Sequence, residues 1–197
     1  MRQLYAGLAL AVLLSTTSAD AQAPPPRPEP LAPTGLGRCV FDALPREMKV
    51  SVVTAYLDGK DIIKVPGFRE AVVPVAGRCS GLTDIDHQPA VVGAVLATFW
   101  RLAAYAHLAQ GVGLKQKDMD AAWRAAPQAQ RQPFDDIARS YLDPGPVVQR
   151  DAVAEPFIQQ LGLAAASTNR AGIQRDVFYY FMATALKEQA DRRLSPG

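Results

Sequence analysis

Apolar residues recur along this chain every three or four positions, and no convincing run alternates with a period of two. Leu44, Met48, Val52, Ala55 and Tyr56 make one such stripe. Pro45 suits its first helical turn and Asp58-Gly59 closes it. From Asp86, a good N-cap, to about Gln110 the pattern changes. Val91, Val92, Val95, Leu96, Phe99, Trp100 and Leu102 leave no broad polar face, as in a helix at the centre of a domain. A membrane span is the alternative, but Arg101 and His107 interrupt the apolar run, and a bilayer core of ~30 Å needs roughly twenty residues.

Gly111 and Gly113 end that helix. Lys115 to Ala126, with Met119 and Trp123, predicts a shorter amphipathic helix that Pro127 stops. Pro133 reads as the start of the next, with Phe134, Ile137, Ala138 and Tyr141 on one side, ending at Asp143-Pro144-Gly145-Pro146. Val147 to Leu161 follows, kinked or broken at Pro156. Ser167 or Thr168 then caps a final helix to about Arg193, whose Ile173, Val177, Phe178, Phe181 and Ala185 share one face. Only Asp61 to Gly77 reads two ways. Val72, Val73 and Val75 look strand-like despite Pro74, while Phe68, Val72 and Val75 would also line one helix face.

The pattern therefore predicts an all-α domain over residues 38–194, about six helices around a central apolar helix at 88–110. Leu96 and Phe99 of that helix are expected to be buried against the final helix around Phe178 and Phe181. A faint echo runs through the domain. Tyr56-Leu57-Asp58 precedes Ile62-Ile63-Lys64, Tyr141-Leu142-Asp143 precedes Val147-Val148-Gln149, and each half ends in an aromatic-rich helix around Phe99-Trp100 or Phe178-Tyr179. Chance matching of similar helices is preferred to duplication here, because repeat architectures normally show more than two copies.

The N-terminal pattern is of another kind. Arg2, the apolar stretch Leu4 to Leu14 and the small residues ending at Ala19 and Ala21 have the layout of a secretory signal peptide cleaved after Ala21. Residues 22–37 follow as a Pro-rich disordered linker, with six prolines between Pro24 and Pro33. A spacer is preferred there to a ligand for a proline-recognition domain. Export to the periplasm or medium changes the meaning of Cys39 and Cys79, the two cysteines of the chain: in an oxidising compartment an even count predicts a disulfide. Closing a loop of about 41 residues stabilises by roughly 4 kcal/mol in the chain-entropy model.

Composition adds little: 49% hydrophobic and 20% charged residues are those of an ordinary globular protein. A net charge of +2, with no Lys/Arg cluster, gives no field suited to nucleic acid.

Each candidate for chemistry has a structural competitor. Gly77-Arg78-Cys79-Ser80-Gly81 has nucleophile-elbow spacing, but Pro74 breaks the strand it needs and a bridge to Cys39 would consume the thiol. In Asp84-Ile85-Asp86-His87, helix capping by the two aspartates is preferred to a metal site. Asp135 and Asp136, adjacent on a helix, diverge by about 100° and do not share a site. Trp100, Arg101, Tyr105 and His107 remain as candidates for a ligand contact. Arg101, if buried, needs a carboxylate, and His107 is expected to be satisfied by a carbonyl rather than to act as a base. No metal or cofactor is implied.

The reading that follows is an exported, non-enzymatic interaction or ligand-binding module of the cell envelope, with an envelope protein or a small apolar ligand as partner, no nucleic acid, and no transmembrane span after signal cleavage. The alternatives are a small helical hydrolase acting on envelope polymer, or a carrier with a cavity near Trp100, Tyr105 and Phe181.

Overall fold

The computed structural model describes residues 35–81, 89–143, 153–163 and 170–194. Among them are eight α-helices and no strand: α1 (Leu36–Ala43), α2 (Arg46–Leu57), α3 (Phe68–Ser80), α4 (Pro89–Val112), α5 (Gln116–Ala125), α6 (Gln128–Leu142), α7 (Glu155–Gln160) and α8 (Arg170–Leu194). A 3-10 turn at Ile62–Lys64 links α2 to α3. The fold is all-α around a central apolar helix, as the periodicity predicts, and exceeds six helices through the short α1 and α7. The signal segment, the Pro-rich stretch to Pro33, the Asp84-Asp86-His87 group and the Ser167 and Thr168 caps lie outside the described residues.

The α4 helix is buried on nearly every side and runs antiparallel to α8. Gly93 meets Leu186 and Ala190 at one end, and His107 meets Asp176 at the other. By length and composition α4 could cross a membrane, but 72% of its most apolar stretch is buried inside the protein. Two close approaches need glycine. A methyl on Gly37 of α1 would lie 2.8 Å from the Ala94 carbonyl oxygen and overlap the Thr98 hydroxyl, and one on Gly93 would lie 2.6 Å from Leu142 Cδ2. The disulfide Cys39–Cys79, with Cα atoms 5.8 Å apart, ties α1 to the end of α3.

The ambiguous stretch is helical. Phe68, Val72, Val75 and Ala76 of α3 are buried, while Pro74 is exposed, so the Glu70 carbonyl that it leaves unpaired is free to meet water. Burial of the apolar face outweighs the lost hydrogen bond. Pro133 likewise does not start α6, which begins at Gln128, directly after Pro127. It sits in the second turn, where Ala129, four residues back, is exposed and its carbonyl is similarly open to solvent. Pro156 falls in the first turn of α7 rather than kinking a longer helix, and residues 147–152 are outside the description.

Two halves, α1–α4 and α5–α8, are built alike. Each begins with a helix joined to the next through a Pro N-cap, Pro45 or Pro127, and that second helix ends in Tyr-Leu followed by Asp. In the first half, Phe99 of α4 is flanked by Phe41 of α1 and Phe68 of α3, at ring-centroid distances of 5.5 and 5.8 Å. In the second, Phe181 of α8 is flanked by Trp123 of α5 and Phe157 of α7, at 5.8 and 4.0 Å. Leu96 and Phe99 are buried as expected, but the ring partners of Phe99 are in its own half, and Phe181 belongs to the other cluster. A helix buried all round presents its aromatic residues to several neighbours, and periodicity alone does not select one.

Candidate binding site: an aromatic pocket between the two halves

Where the halves meet, aromatic side chains cross over reciprocally. Tyr56, at the end of α2, packs edge-on against Tyr179 of α8 at 5.4 Å. Tyr141, at the equivalent end of α6, packs edge-on against Trp100 of α4 at 5.1 Å. Trp100 and Tyr179 face each other at 5.9 Å, closing the set. These four rings wall a pocket of about 290 Å³. Its rim is polar: Lys60 and Asp61 stand on the turn between α2 and the 3-10 segment, and Arg175 projects from α8. Lys60 and Asp61 also border a shallower groove along the outer side of α2, near the exposed Val50.

The rim is placed by backbone chemistry. Gly59 adopts φ 71°, its N–H bonds the Tyr56 carbonyl at 3.0 Å, and the Lys60 N–H bonds the Ala55 carbonyl at 2.8 Å. This pair of bonds is a Schellman closure, which requires the left-handed residue that Gly59 supplies without strain. Asp61 then accepts from the Ile63 N–H at 3.1 Å and caps the 3-10 turn.

Behind the pocket, Asp176 is the electrostatic centre. It is 1% exposed. Its Oδ1 accepts from the Tyr56 hydroxyl at 2.8 Å and from Arg175 Nε at 3.2 Å, while Oδ2 meets His107 Nδ1. Arg175 also lies over the Tyr56 ring, its Cζ 5.1 Å from the centroid. Burial and the Asp176 charge raise the Tyr56 pKa far above the ordinary phenol value, so Tyr56 is a fixed donor.

A second cluster stands on the neighbouring face of α4. Arg101 Nη2 bonds Asp120 Oδ1 at 2.5 Å and the Tyr180 hydroxyl at 3.0 Å, and Tyr180 donates to the same Asp120 oxygen at 2.7 Å. Burial works against the Arg101 charge, but the Tyr180 and Asp120 interactions outweigh it and hold its pKa above the ordinary value. Arg101 Nε is buried without a partner among the described residues. The carboxylate that a buried Arg101 needs is thus Asp120, and the cluster braces α4, α5 and α8.

Of the four candidates on α4, Trp100 lines the pocket and Arg101 is held by Asp120. Tyr105 is buried in the core, and His107 has a carboxylate rather than a carbonyl as its partner. Neither Tyr105 nor Phe181 walls the pocket beside Trp100. Cys79 lies in α3 and is bridged, so no strand-borne nucleophile exists there. Asp136 bonds Gln132, while Asp135 faces Gln189, as their divergence on one helix requires. Among the described residues no three His, Cys, Asp or Glu side chains converge as a metal site would need.

Sequence reading missed Tyr56, Tyr141, Tyr179, Lys60, Asp61 and Arg175 as one site. The signal that pointed there was the echo, which placed a Tyr-Leu-Asp beside each aromatic helix. No family model matches the chain, and no curated protein or solved structure matches it.

Proposed function

We propose that this chain is an exported helical module of the cell envelope that binds a small molecule in the pocket between its halves. The observation that carries the reading is the convergence of Trp100, Tyr56, Tyr141 and Tyr179 with three polar side chains at the mouth of one cavity. Binding sites are typically concave, mainly apolar and equipped with a few placed polar groups, and bundles build them between helices. Export is supported by the signal-like N-terminus and by the disulfide. Native mass spectrometry of protein recovered from the periplasm or medium tests the reading. A non-covalent small-molecule adduct, present on the native chain and lost from Tyr141→Ala and Lys60→Ala, is expected. Adducts unaffected by either substitution would place binding elsewhere.

The hydrolase alternative has one foothold, the His107–Asp176 pair, which has the form of a base and its orienting carboxylate. Against it, His107 does not line the pocket, and Asp176 also serves Tyr56 and Arg175. That sharing favours a structural hub.

A further inference from the structure

We infer that the pocket takes a neutral, polyhydroxylated ring, the chemistry of a single sugar unit. This rests on the proposed binding function and names its ligand class. Three observations carry it.

The first is charge. Both cations at the pocket mouth already have a counter-ion. Lys60 Nζ lies 2.9 Å from Asp58 Oδ2, and Arg175 Nη2 lies 3.2 Å from the buried Asp176 carboxylate. An anion therefore meets no uncompensated positive field, and a cation would find at the mouth only the single Asp61 carboxylate, which already accepts from Ile63 N–H. An uncharged ligand costs neither pair its partner.

The second is the mixture of donors and acceptors. Lys60 and Arg175 are donors only, and ionised Asp61 is an acceptor only. One of its oxygens accepts from Ile63 N–H, and each carboxylate oxygen has a second lone pair. Hydroxyl groups both donate and accept, so a ligand bearing several satisfies both kinds at once. A purely apolar ring would leave the remaining donor positions of Lys60 and Arg175 and the remaining lone pairs of Asp61 without a ligand partner and shielded from water on that side, which disfavours an apolar cargo.

The third is shape. Trp100, Tyr141, Tyr179 and Tyr56 offer aromatic faces and edges to the C–H side of a saturated ring while the rim addresses its hydroxyls. The volume of about 290 Å³ lies at the small end of ligand cavities and suits one ring rather than a lipid chain.

Two-dimensional ¹H–¹⁵N NMR of the full oxidised chain tests this, because its two indole N–H groups report different places. Trp100 walls the pocket, whereas the Trp123 indole donates to Glu188 in the other aromatic cluster. The probes are glucose, N-acetylglucosamine, cyclohexanol, benzoate and tetramethylammonium, each titrated into the millimolar range. The expected result is a saturable shift of the Trp100 indole with at least one sugar and none at Trp123. Lys60→Ala, a substitution of an exposed side chain that leaves the core untouched, should weaken that binding about tenfold, as loss of one charge-assisted hydrogen bond does. Saturable shifts at Trp100 with cyclohexanol, benzoate or tetramethylammonium, and with neither sugar, would overturn the sugar assignment and leave the binding function standing. No response at Trp100 to any probe would overturn both.

Discussion

The Tyr56 hydroxyl donates to Asp176 Oδ1 across 120 residues of sequence and joins the end of α2 to the buried face of α8. Through that bond the wall of the pocket is fixed to the core of the other half. The carboxylate also meets His107 and Arg175, so three side chains from three helices depend on one buried charge.

Tyr56→Phe should destabilise the fold by about 1–3 kcal/mol at neutral pH, because it removes one donor from a buried carboxylate. The same bond gives an alkaline signature. The pKa values of folded Tyr56 and Tyr180 are both raised, chiefly by burial, while the unfolded phenols titrate near 10. Stability is therefore full below about pH 10 and falls as pH rises above it, since the unfolded chain releases these protons first. Denaturant midpoints at pH 8 and pH 10.5 should show the loss, and Tyr56→Phe should lessen the difference. A pH-independent midpoint over that range would contradict the burial of both phenols.

Phe99→Ala should cost roughly 3–5 kcal/mol in chemical denaturation, through lost transfer energy and an incompletely filled cavity. Its partners set a sharper test. In double-mutant cycles Phe99 should couple to Phe68, which it touches, and be additive with Phe157, which sits in the other cluster. Coupling to Phe157 in place of Phe68 would mean that the two halves interleave differently.

Gly37→Ala should be more damaging than Gly93→Ala. At Gly37 the added methyl meets a backbone carbonyl oxygen as well as Thr98, whereas at Gly93 it meets first the movable end of Leu142. Overpacking costs typically about 1–3 kcal/mol. Gly37→Ala should lie at the top of that range or above it, and the melting temperatures of the two variants check the order.

Reduction of the Cys39–Cys79 bridge, or Cys39→Ser, should lower the melting temperature, with an expected loss of up to about 4 kcal/mol for a loop of this length. Non-reducing peptide mapping should recover the two cysteines as one linked species.

Much of the fold was legible because it is written in helical periodicity. The α4 stripe from Val91 to Leu102, the Gly59 and Gly113 stops and the even cysteine count each have a local cause. The two proline positions were not legible. Pro74 and Pro133 are tolerated inside helices because the carbonyls they orphan lie toward solvent, which depends on which face α3 and α6 bury. The site was less legible still. Tyr56, Trp100, Tyr141 and Tyr179 come from four helices, and each alone reads as a core aromatic. Asp176 offered no signal as a hub, being one carboxylate among charged neighbours on α8 until the packing showed it buried.

The most direct test of the pocket as a binding site is the emission of Trp100 in a Trp123→Phe chain, where it is the only indole. The substitution removes a bond to Glu188 worth about 1.5–3 kcal/mol and leaves a small cavity beside Phe157 and Phe181, so a native-like circular dichroism spectrum of the variant is established first. Titration with N-acetylglucosamine should change that emission saturably, and Tyr141→Ala should abolish the change. A flat or merely linear response to N-acetylglucosamine, glucose, cyclohexanol, benzoate and tetramethylammonium alike, identical with and without Tyr141, would contradict a ligand site between the two halves.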